Sequence, residues 1–393
     1  MKILFWLSIG LDRRTPSEHL LTAIVEALYR QGHTVHILQK DTDGEKAKLT
    51  PRMTELGVTT STVKSYPPKK NNFIARFSAD VLYVRNCKKW LKKNKDFDRV
   101  FMQSSNVAGF QTSALKKYFK SIPVTFNVQD IFPENAAYCG SISRDGIIYK
   151  VLSAMQKKAY SRVDKIVTIS EDMKSQLSEL GVPAEKIEVI YNWSYRDTPY
   201  DLSALDYTRV APLFDKDKFN VVYAGNIGMM QNVELVVRTA AKMKEQSNVA
   251  FHIFGDGLYK NKLVALAEEL GADNLTFHPM LDSADAPALY ASADLNVIPL
   301  AENIYRTALP SKTATCLACG KHIAFCIGKD SEFGQKMSRD FGVALLEPND
   351  TDALAAEIMS ATQSKGAKLR TDRFETDFSL SGNSQRYAET IVK

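Results

Sequence analysis

Cysteine is scarce in this chain, with five residues among 393, an odd number. A disulfide framework needs pairs and an oxidising compartment, so this count favours a reducing cytoplasm. Cys316 and Cys319 are spaced like half of a zinc site, but no second pair follows. We interpret them as small residues that pack a helix, and we expect neither a metal ion nor a cofactor.

Long apolar runs and common nucleotide fingerprints are also missing. No run of 18 apolar residues occurs, and the N-terminal "MKILFWLSIGLDRR" is too short and too quickly charged for a signal peptide. The sequence therefore predicts a cytoplasmic protein that does not span a membrane. Neither a Walker A motif nor G-x-G-x-x-G is present, which argues against ATP hydrolysis and NAD binding.

The sequence does contain a regular alternation of strand and helix patterns. In the first half "KILFWL", "HTVHIL", "RVFMQ", "PVTFNV" and "DKIVTIS" predict strands, and in the second half "FNVVYAG", "VAFHIFG", "LTFHP", "DLNVIPL", "HIAFCI" and "GVALLE" do so. Strands alternating with helices predict the α/β class, here two Rossmann-like domains facing a cleft. We place them at residues 1–190 and 191–371, with a linker at about 183–214.

Three loops of the second domain follow predicted strands, where open α/β sheets bind ligands. The loop "YAGNIGMMQN" contains Gly225 and Gly228, and "FGDGLYKNK" contains Gly255 and Gly257. The third, "LPSKTATCLACGK", places Lys312 at the start of a helix. Such turns can direct backbone N–H groups and a positive helix end at an anion, so the sequence predicts a phosphate site.

One loop of the first domain, "NVQDIFPENA", contains two carboxylates after a predicted strand. Asp130 and Glu134 are four residues apart, which leaves two interpretations open. They are a pair with acid, base or positioning roles, or they cap a turn before an irregular segment.

These motifs together resemble the family-4 glycosyltransferases, in particular a subgroup that builds bacterial cell-surface polysaccharides. The resemblance covers nearly the whole chain, through "EALYRQGHTVHIL", "VTFNVQDIFPENA", "VDKIVTISEDMKSQL", "VIYNW", "VVYAGNIGMMQN", "FHIFGDG", "LTFHPML" and "LPSKTATCLACGK". It implies the GT-B fold, with a C-terminal helix at 372–393 crossing back to the first domain. It also implies retaining transfer of a hexosyl or N-acetylhexosaminyl group, without a metal, from a UDP-linked donor to a lipid-linked saccharide of capsule, exopolysaccharide or O-antigen.

The resemblance also implies roles for individual residues. The diphosphate would lie between "GNIG" and the helix after Ser311, and the base would lie against "FHPM" through backbone groups. The implied donor-binding residues are Gly225, Asn226, Gly228, Lys262, His278, Met280, Arg306, Thr307, Leu309, Pro310, Ser311 and Thr315. The implied acceptor-side residues are Gly10, Arg13, Arg14 and Gln129, and the implied catalytic residues are Asp130, Glu134 and Lys312.

Several positions depart from the family pattern. Many members have two glutamates where this chain has Thr307 and Thr315. They have basic diphosphate ligands where this chain has Asn226 and Asn232, and a histidine in place of Gln129. Because one of those glutamates usually holds the ribose, Thr315 leaves ribose recognition open. Lys312, with Lys262 as a second candidate, would then supply the positive charge. No side-chain nucleophile is needed in the mechanism usually proposed for the family, since the protein positions both substrates and stabilises the leaving diphosphate.

Positive charge is concentrated in residues 64–98, which have ten Lys or Arg against three Asp, a net +7. Apolar residues are interleaved with them: Phe73, Phe77, Leu82, Tyr83, Trp90 and Leu91. One interpretation is a solvated helix face. Another is a peripheral patch on anionic lipid at the inner face of the cytoplasmic membrane, where each basic residue contributes about 1 kcal/mol. Nucleic acid is disfavoured, because no aromatic platform or binding fold accompanies the charge.

Two other functions stay open beside glycosyl transfer. A nucleotide-sugar epimerase of the same fold would need acidic and histidine acid/base groups, which Gln129 and the two threonines do not supply. A catalytically inactive protein that binds a sugar nucleotide or a partner enzyme would explain Thr307 and Thr315.

Overall fold

The computed structural model describes residues 1–11, 18–41, 47–66, 73–364 and 368–393, apart from the side chains of Phe73 and Ile74. The chain forms two compact units. Unit 1 comprises Met1–Asn192, Thr307–Leu309 and Leu380–Lys393, and unit 2 comprises Trp193–Arg306 and Pro310–Ser379. Each unit is built on one parallel sheet, so the predicted α/β class with two Rossmann-like domains is confirmed.

The sheet of unit 1 has seven strands in the described residues. They are β1 Lys2–Trp6, β2 Thr34–Lys40, β3 Thr59–Val63, β4 Arg99–Gln103, β5 Val124–Val128, β6 Lys165–Thr168 and β7 Ile187–Val189. The helices of this part are α1 Glu18–Arg30, α2 Pro51–Glu55, α3 Phe73–Lys93, α4 Ala108–Tyr118, α5 Glu134–Tyr138, α6 Ile147–Arg162 and α7 Glu171–Glu179. The strand order β3-β2-β1-β4-β5-β6-β7 reverses between β1 and β4, and ligands bind beyond the carboxyl ends of strands at such a switch point.

The sheet of unit 2 has six strands in the described residues. They are β8 Phe219–Ala224, β9 Val249–Phe254, β10 Leu275–His278, β11 Leu295–Pro299, β12 His322–Cys326 and β13 Ala344–Leu346. The helices are α8 Glu234–Lys242, α9 Lys260–Leu270, α10 Ala286–Ser292, α11 Thr313–Ala318, α12 Glu332–Phe341, α13 Thr351–Gln363 and α14 Phe374–Phe378. The order β10-β9-β8-β11-β12-β13 places the switch point between β8 and β11.

The central strands explain why the sequence pattern was so clear. Ile3, Leu4, Phe5 and Trp6 of β1 are fully buried, and every residue of β8 and β11 is buried. Parallel strands covered by helices on both faces read as continuous apolar runs. None of the helices in the described residues is both long and apolar enough to cross a bilayer.

The C-terminal helix, α15 Leu380–Val392, belongs to unit 1, and it packs against α1, β4, β5 and β6. The Asn383 amide donates to the Tyr191 carbonyl at 3.1 Å, and the Thr390 hydroxyl donates to Glu188 at 2.7 Å. The chain therefore returns to the first unit from Leu380 onward, whereas residues 372–379 of the implied crossing segment belong to unit 2.

The predicted linker at 183–214 is wrong in part. Ile187–Val189 forms β7, which pairs with β6, and the segment from Trp193 belongs to unit 2. There the Tyr200 N–H donates to the Ala318 carbonyl at 2.8 Å. A strand of three residues is too short to give a periodic signal. The polar edge strand β3, "TTSTV", was also missed, because its residues are exposed or only half-buried.

The basic segment contains the whole of α3, and its described apolar side chains largely face the core. Tyr83 and Leu91 are buried, and Trp90 stacks on His36 with ring centroids 5.2 Å apart. Leu82 is exposed, as are Lys89, Lys92, Lys93 and Lys95. Lys69 and Lys70 lie outside the described residues. Most of the interleaved side chains thus stabilise unit 1 and leave a face that is mainly charged.

Candidate functional site

The switch point of unit 2 brings two of the predicted anion loops together. Lys312, just before α11, extends its side chain to the end of β8, where Nζ donates to the Ala224 carbonyl. The same Nζ lies 3.9 Å from the centroid of the Tyr223 ring. A Cβ added to Gly225 would come within 2.9 Å of that nitrogen, so glycine gives the ammonium its room.

The electrostatics of Lys312 are those of a cation without a protein counter-ion. The side chain is partly buried, and this burial lowers the pKa of Lys312 to about 8. No carboxylate of the described residues forms an ion pair with it. The Tyr223 ring stabilises the charge from one side. The arrangement can accept an anion at the carboxyl end of β8.

A second glycine loop lies directly beside the first. The Ile227 N–H donates to the Asp256 carbonyl at 2.8 Å. A Cβ on Gly255 would lie 1.9 Å from the Gly225 oxygen, and one on Gly257 would lie 2.4 Å from the Ile227 oxygen. The two loops can lie this close only because side chains are absent at these positions.

The other polar candidates of this loop cluster are engaged within the protein. Asn226 donates to a glutamine of its own loop at 3.0 Å. Asn232, at a left-handed φ of 44°, donates to a carbonyl of the loop after β13 at 2.6 Å. Lys262 is exposed and pairs with Glu234 at 3.5 Å. Lys312 therefore remains the cation at the end of β8.

A row of three hydrogen-bonded side chains ends at His278, the last residue of β10. The Asn220 amide donates to two backbone carbonyls at 2.8 and 2.9 Å, so its oxygen accepts from His252 Nε2–H at 3.1 Å. His252 Nδ1 then accepts from His278 Nε2–H at 3.1 Å, which leaves His278 Nδ1 unprotonated. Burial lowers the pKa of both histidines, that of His252 to about 4. The sequence predicted only backbone groups at this position and did not predict that the tautomer of His278 is fixed.

The remaining candidates of unit 2 differ in how far they reach solvent. Thr315 and Cys316 are buried inside α11 and Cys319 is buried at its C-terminal end, whereas Ser311 and Met280 are exposed. Pro310 accepts from the Thr313 N–H at 3.2 Å, and Arg306 lies in a short 3-10 turn. Among the described residues, no group of three potential metal ligands comes together.

The segment Thr307–Leu309 lies in unit 1, although the sequence placed it in the second domain. The Thr307 carbonyl accepts from the Ile131 N–H at 2.8 Å, and Ala308 pairs with Asp130 in an antiparallel bridge. Leu309 packs against the core of unit 1. Thr307 and Leu309 therefore adjoin the loop with the candidate carboxylates.

In that loop Asp130 is exposed, while Gln129 beside it is held by three side chains. Gln129 donates to Asn127 at 2.9 Å and to Tyr387 at 3.3 Å, and it accepts from Asn192 at 2.7 Å. The Asp130 side chain reaches solvent, yet the protein packed around it raises the pKa of its carboxyl to about 6. The network thus fixes the backbone from which Asp130 projects.

Glu134, four residues on, has the opposite environment. It is buried, Tyr149 of α6 donates to its Oε1 at 3.2 Å, and Oε2 has no partner in the described residues. Burial raises the pKa of this carboxyl. Gly10 is buried at the switch point of unit 1, and Arg13 and Arg14 lie outside the described residues. Asp130 is therefore the carboxylate that a substrate can reach from solvent.

Changing Tyr387 to Phe tests the network under Gln129. The hydroxyl donates to Asn127 at 3.1 Å in a buried setting, so its loss should cost about 1–2 kcal/mol. We expect amide hydrogen exchange in β5 to accelerate about fivefold to thirtyfold, measured by mass spectrometry. Tyr29→Phe, an exposed tyrosine of α1, is the matched control. Equal exchange in both variants would contradict a stabilising role for the network.

Comparisons with known proteins match both units. Residues 17–193 match the model "Glycosyltransferase Family 4", and residues 207–375 match "Glycosyl transferases group 1". The structure of HepE from Anabaena in complex with UDP and glucose superposes with a TM-score of 0.71 at 18% identity, covering 100% of both chains.

Two curated relatives are similar over part of their length. The chain is 28% identical over 221 residues to WcaI of Escherichia coli (strain K12), provisionally named a colanic acid biosynthesis glycosyl transferase. It is 26% identical over 249 residues to WbjE of Pseudomonas aeruginosa, provisionally named a glycosyltransferase. The alignments cover 56% and 62% of this chain and 54% and 61% of those proteins. Because the two family models together take in most of the chain, and both sheets have the matching architecture, the chain belongs to the GT-B glycosyltransferases.

Proposed function

We propose that this chain transfers a hexosyl or N-acetylhexosaminyl group from a UDP-linked donor to a hydroxyl of a lipid-linked saccharide. The reaction would retain the anomeric configuration and serve bacterial cell-surface polysaccharide synthesis. Support comes from the two family matches, from the name of WcaI and from the UDP complex of HepE. The single observation that carries the proposal is the Lys312 ammonium beside the Gly225 backbone, a position suited to a diphosphate.

In the proposed mechanism the protein positions substrates and stabilises charge. The donor diphosphate lies at the end of β8, where Lys312 neutralises the leaving group. The acceptor hydroxyl attacks on the face that the diphosphate leaves, and the departing phosphate takes up its proton. Asp130 orients the acceptor hydroxyl, which lowers the barrier chiefly by fixing the approach.

A panel of nucleotides and nucleotide-sugars tests the proposal. UDP-sugars should stabilise the protein, because only the native state binds them. At a concentration of 100 Kd the free energy of unfolding should rise by about 2.7 kcal/mol, which is measured as a higher melting temperature. Guanosine, cytidine and adenosine diphosphate sugars are the comparison set. The stabilising UDP-sugar should then be consumed only when a saccharide acceptor is added.

Three results would count against this function. A UDP-sugar isomerised without acceptor would indicate an epimerase. Binding without any turnover, with acceptor panels that include lipid-linked saccharides, would indicate an inactive binding protein. Stabilisation by a different nucleotide would remove the UDP assignment.

A further inference from the structure

Among the residues of unit 1 that the structure describes, the most exposed apolar cluster is the first turn of α6. Ile147, Ile148 and Val151 are 75%, 53% and 52% exposed. Ile147 and Val151 are four residues apart and so are neighbours on one helix face, with Ile148 beside them. The opposite face of α6 is occupied, since Ser153, Gln156 and Tyr160 are buried against the unit. These three side chains are therefore available to a partner.

Basic residues accompany this apolar turn. Residues 144–162 have five Lys or Arg and one Asp, a net +4. Lys150, Lys157 and Lys158 are exposed, and no carboxylate of the described residues pairs with them. Lys150 and Lys157 are seven residues apart, about two turns, so they follow one flank of the apolar stripe. Apolar side chains flanked by free lysines are typical of a helix that lies in the surface of an anionic bilayer.

The same turn is joined to the candidate acceptor loop. Tyr149, between Ile148 and Lys150 in the sequence, donates to Glu134 at 3.2 Å. Glu134 begins α5, four residues after Asp130. A contact of α6 with lipid would thus bring the Asp130 loop close to the membrane surface. Among the side chains of α3 that the structure describes, Tyr83, Trp90 and Leu91 pack into the core, and Leu82 is the large apolar residue that is exposed.

We infer that the first turn of α6 docks unit 1 onto an anionic lipid bilayer. Ile147, Ile148 and Val151 enter the interface, and the lysines contact headgroup phosphates. This inference rests on the proposed function in one respect: docking would serve to bring the protein to a lipid-linked acceptor. Binding itself requires neither donor nor turnover.

The test uses the full chain and vesicles of phosphatidylcholine with or without phosphatidylglycerol, followed by flotation. The first variant combines I147S, I148S and V151S, and the second combines K150Q, K157Q and K158Q. Wild type should bind the anionic vesicles and release as salt rises. The apolar variant should bind more than tenfold more weakly, and the lysine variant about a hundredfold more weakly at low salt.

Two further variants serve as controls. Y29S changes an aromatic residue of α1 that is 52% exposed and lies outside the donor loops and α6, and it should bind like wild type. The combination K88Q, K89Q, K92Q and K93Q tests α3 as the rival surface and should lose much less binding than the α6 lysine variant. Melting temperature and UDP binding should be unchanged in all variants, which separates failure of this inference from failure of the proposed function.

Several outcomes would overturn the inference. They are wild-type binding by the apolar α6 variant, equal binding to neutral and anionic vesicles, and loss of binding by the α3 variant alone. A dimer that the α6 substitutions dissociate, without a change in lipid binding, would assign the face to a second copy of the chain instead.

Discussion

Changing Lys312 to Ala should weaken UDP binding about tenfold to a hundredfold. A charge-assisted contact contributes about 1.5–3 kcal/mol, and Lys312 is the cation placed at the end of β8. Isothermal titration calorimetry with UDP measures the change directly. Lys262→Ala tests the second candidate and should have a small effect, because that side chain is exposed and paired with Glu234.

Lys218→Ala is the control for a lysine outside the loop cluster, since it pairs with Asp215 before β8. An unchanged UDP affinity in Lys312→Ala would remove this residue from the donor site. A larger loss in Lys262→Ala would transfer the role to α9.

The pH dependence of UDP binding provides a second test of Lys312. Burial lowers the pKa of Lys312 from 10.5 to about 8, so the free protein loses this charge as pH rises through 8. UDP affinity should therefore fall above pH 8 in wild type and stay flat in Lys312→Ala. Stability should change in the opposite direction. Between pH 8 and 10.5 the unfolded state binds more protons at this group, so its contribution to folding becomes more favourable as pH rises.

Changing Asp130 to Asn should lower the rate of transfer about a hundredfold at saturating donor, while UDP affinity is unchanged. Misplacement of a substrate by about 1 Å can cost about a hundredfold in rate, so loss of the group that orients the acceptor hydroxyl should have an effect of this size. Asp130 is exposed beside the fixed side chain of Gln129 and has no donor among the described residues. Asp145→Asn, an exposed aspartate of the same unit, is the control.

Transfer should also depend on pH through this carboxyl. With a pKa of about 6, Asp130 is charged above pH 6 and protonated below it, so the wild-type rate should fall on acidification. The Asn variant should lose that step in the profile. If the variant instead binds UDP weakly but transfers normally from saturating donor, Asp130 belongs to the donor site.

The strands could be predicted because their signal is local. β1, β8 and β11 are covered on both faces, so apolar residues dominate them, with Asn220 in β8 and Asn296 in β11 as buried polar exceptions. Two strands were not predicted. β7 is only three residues long, and β3 is a polar strand at the edge of the sheet. The boundary of the first unit was therefore harder to locate than its core.

The candidate donor site could be predicted only where a sequence motif lies at the end of a predicted strand. The "GNIG" loop and Lys312 follow strands that border the same switch point, and the structure brings them together. The bond between Gln129 and Tyr387 spans 258 residues, and that between His252 and His278 depends on strand register. Such contacts follow from the packed fold and have no local sequence signal. The burial of Glu134, likewise, depends on where α6 lies.

The position of α15 in unit 1 also sets an order of events during synthesis. Residues 193–379, of which all but Thr307–Leu309 belong to unit 2, must be translated before Leu380 is reached. At about 5–20 residues per second this takes roughly 10–40 s. Throughout that interval the side of β4, β5 and β6 that α15 covers is open on the nascent chain, and Asn127 lacks Tyr387. Unit 2 is nearly complete by then, so the second unit to begin synthesis is the first to finish.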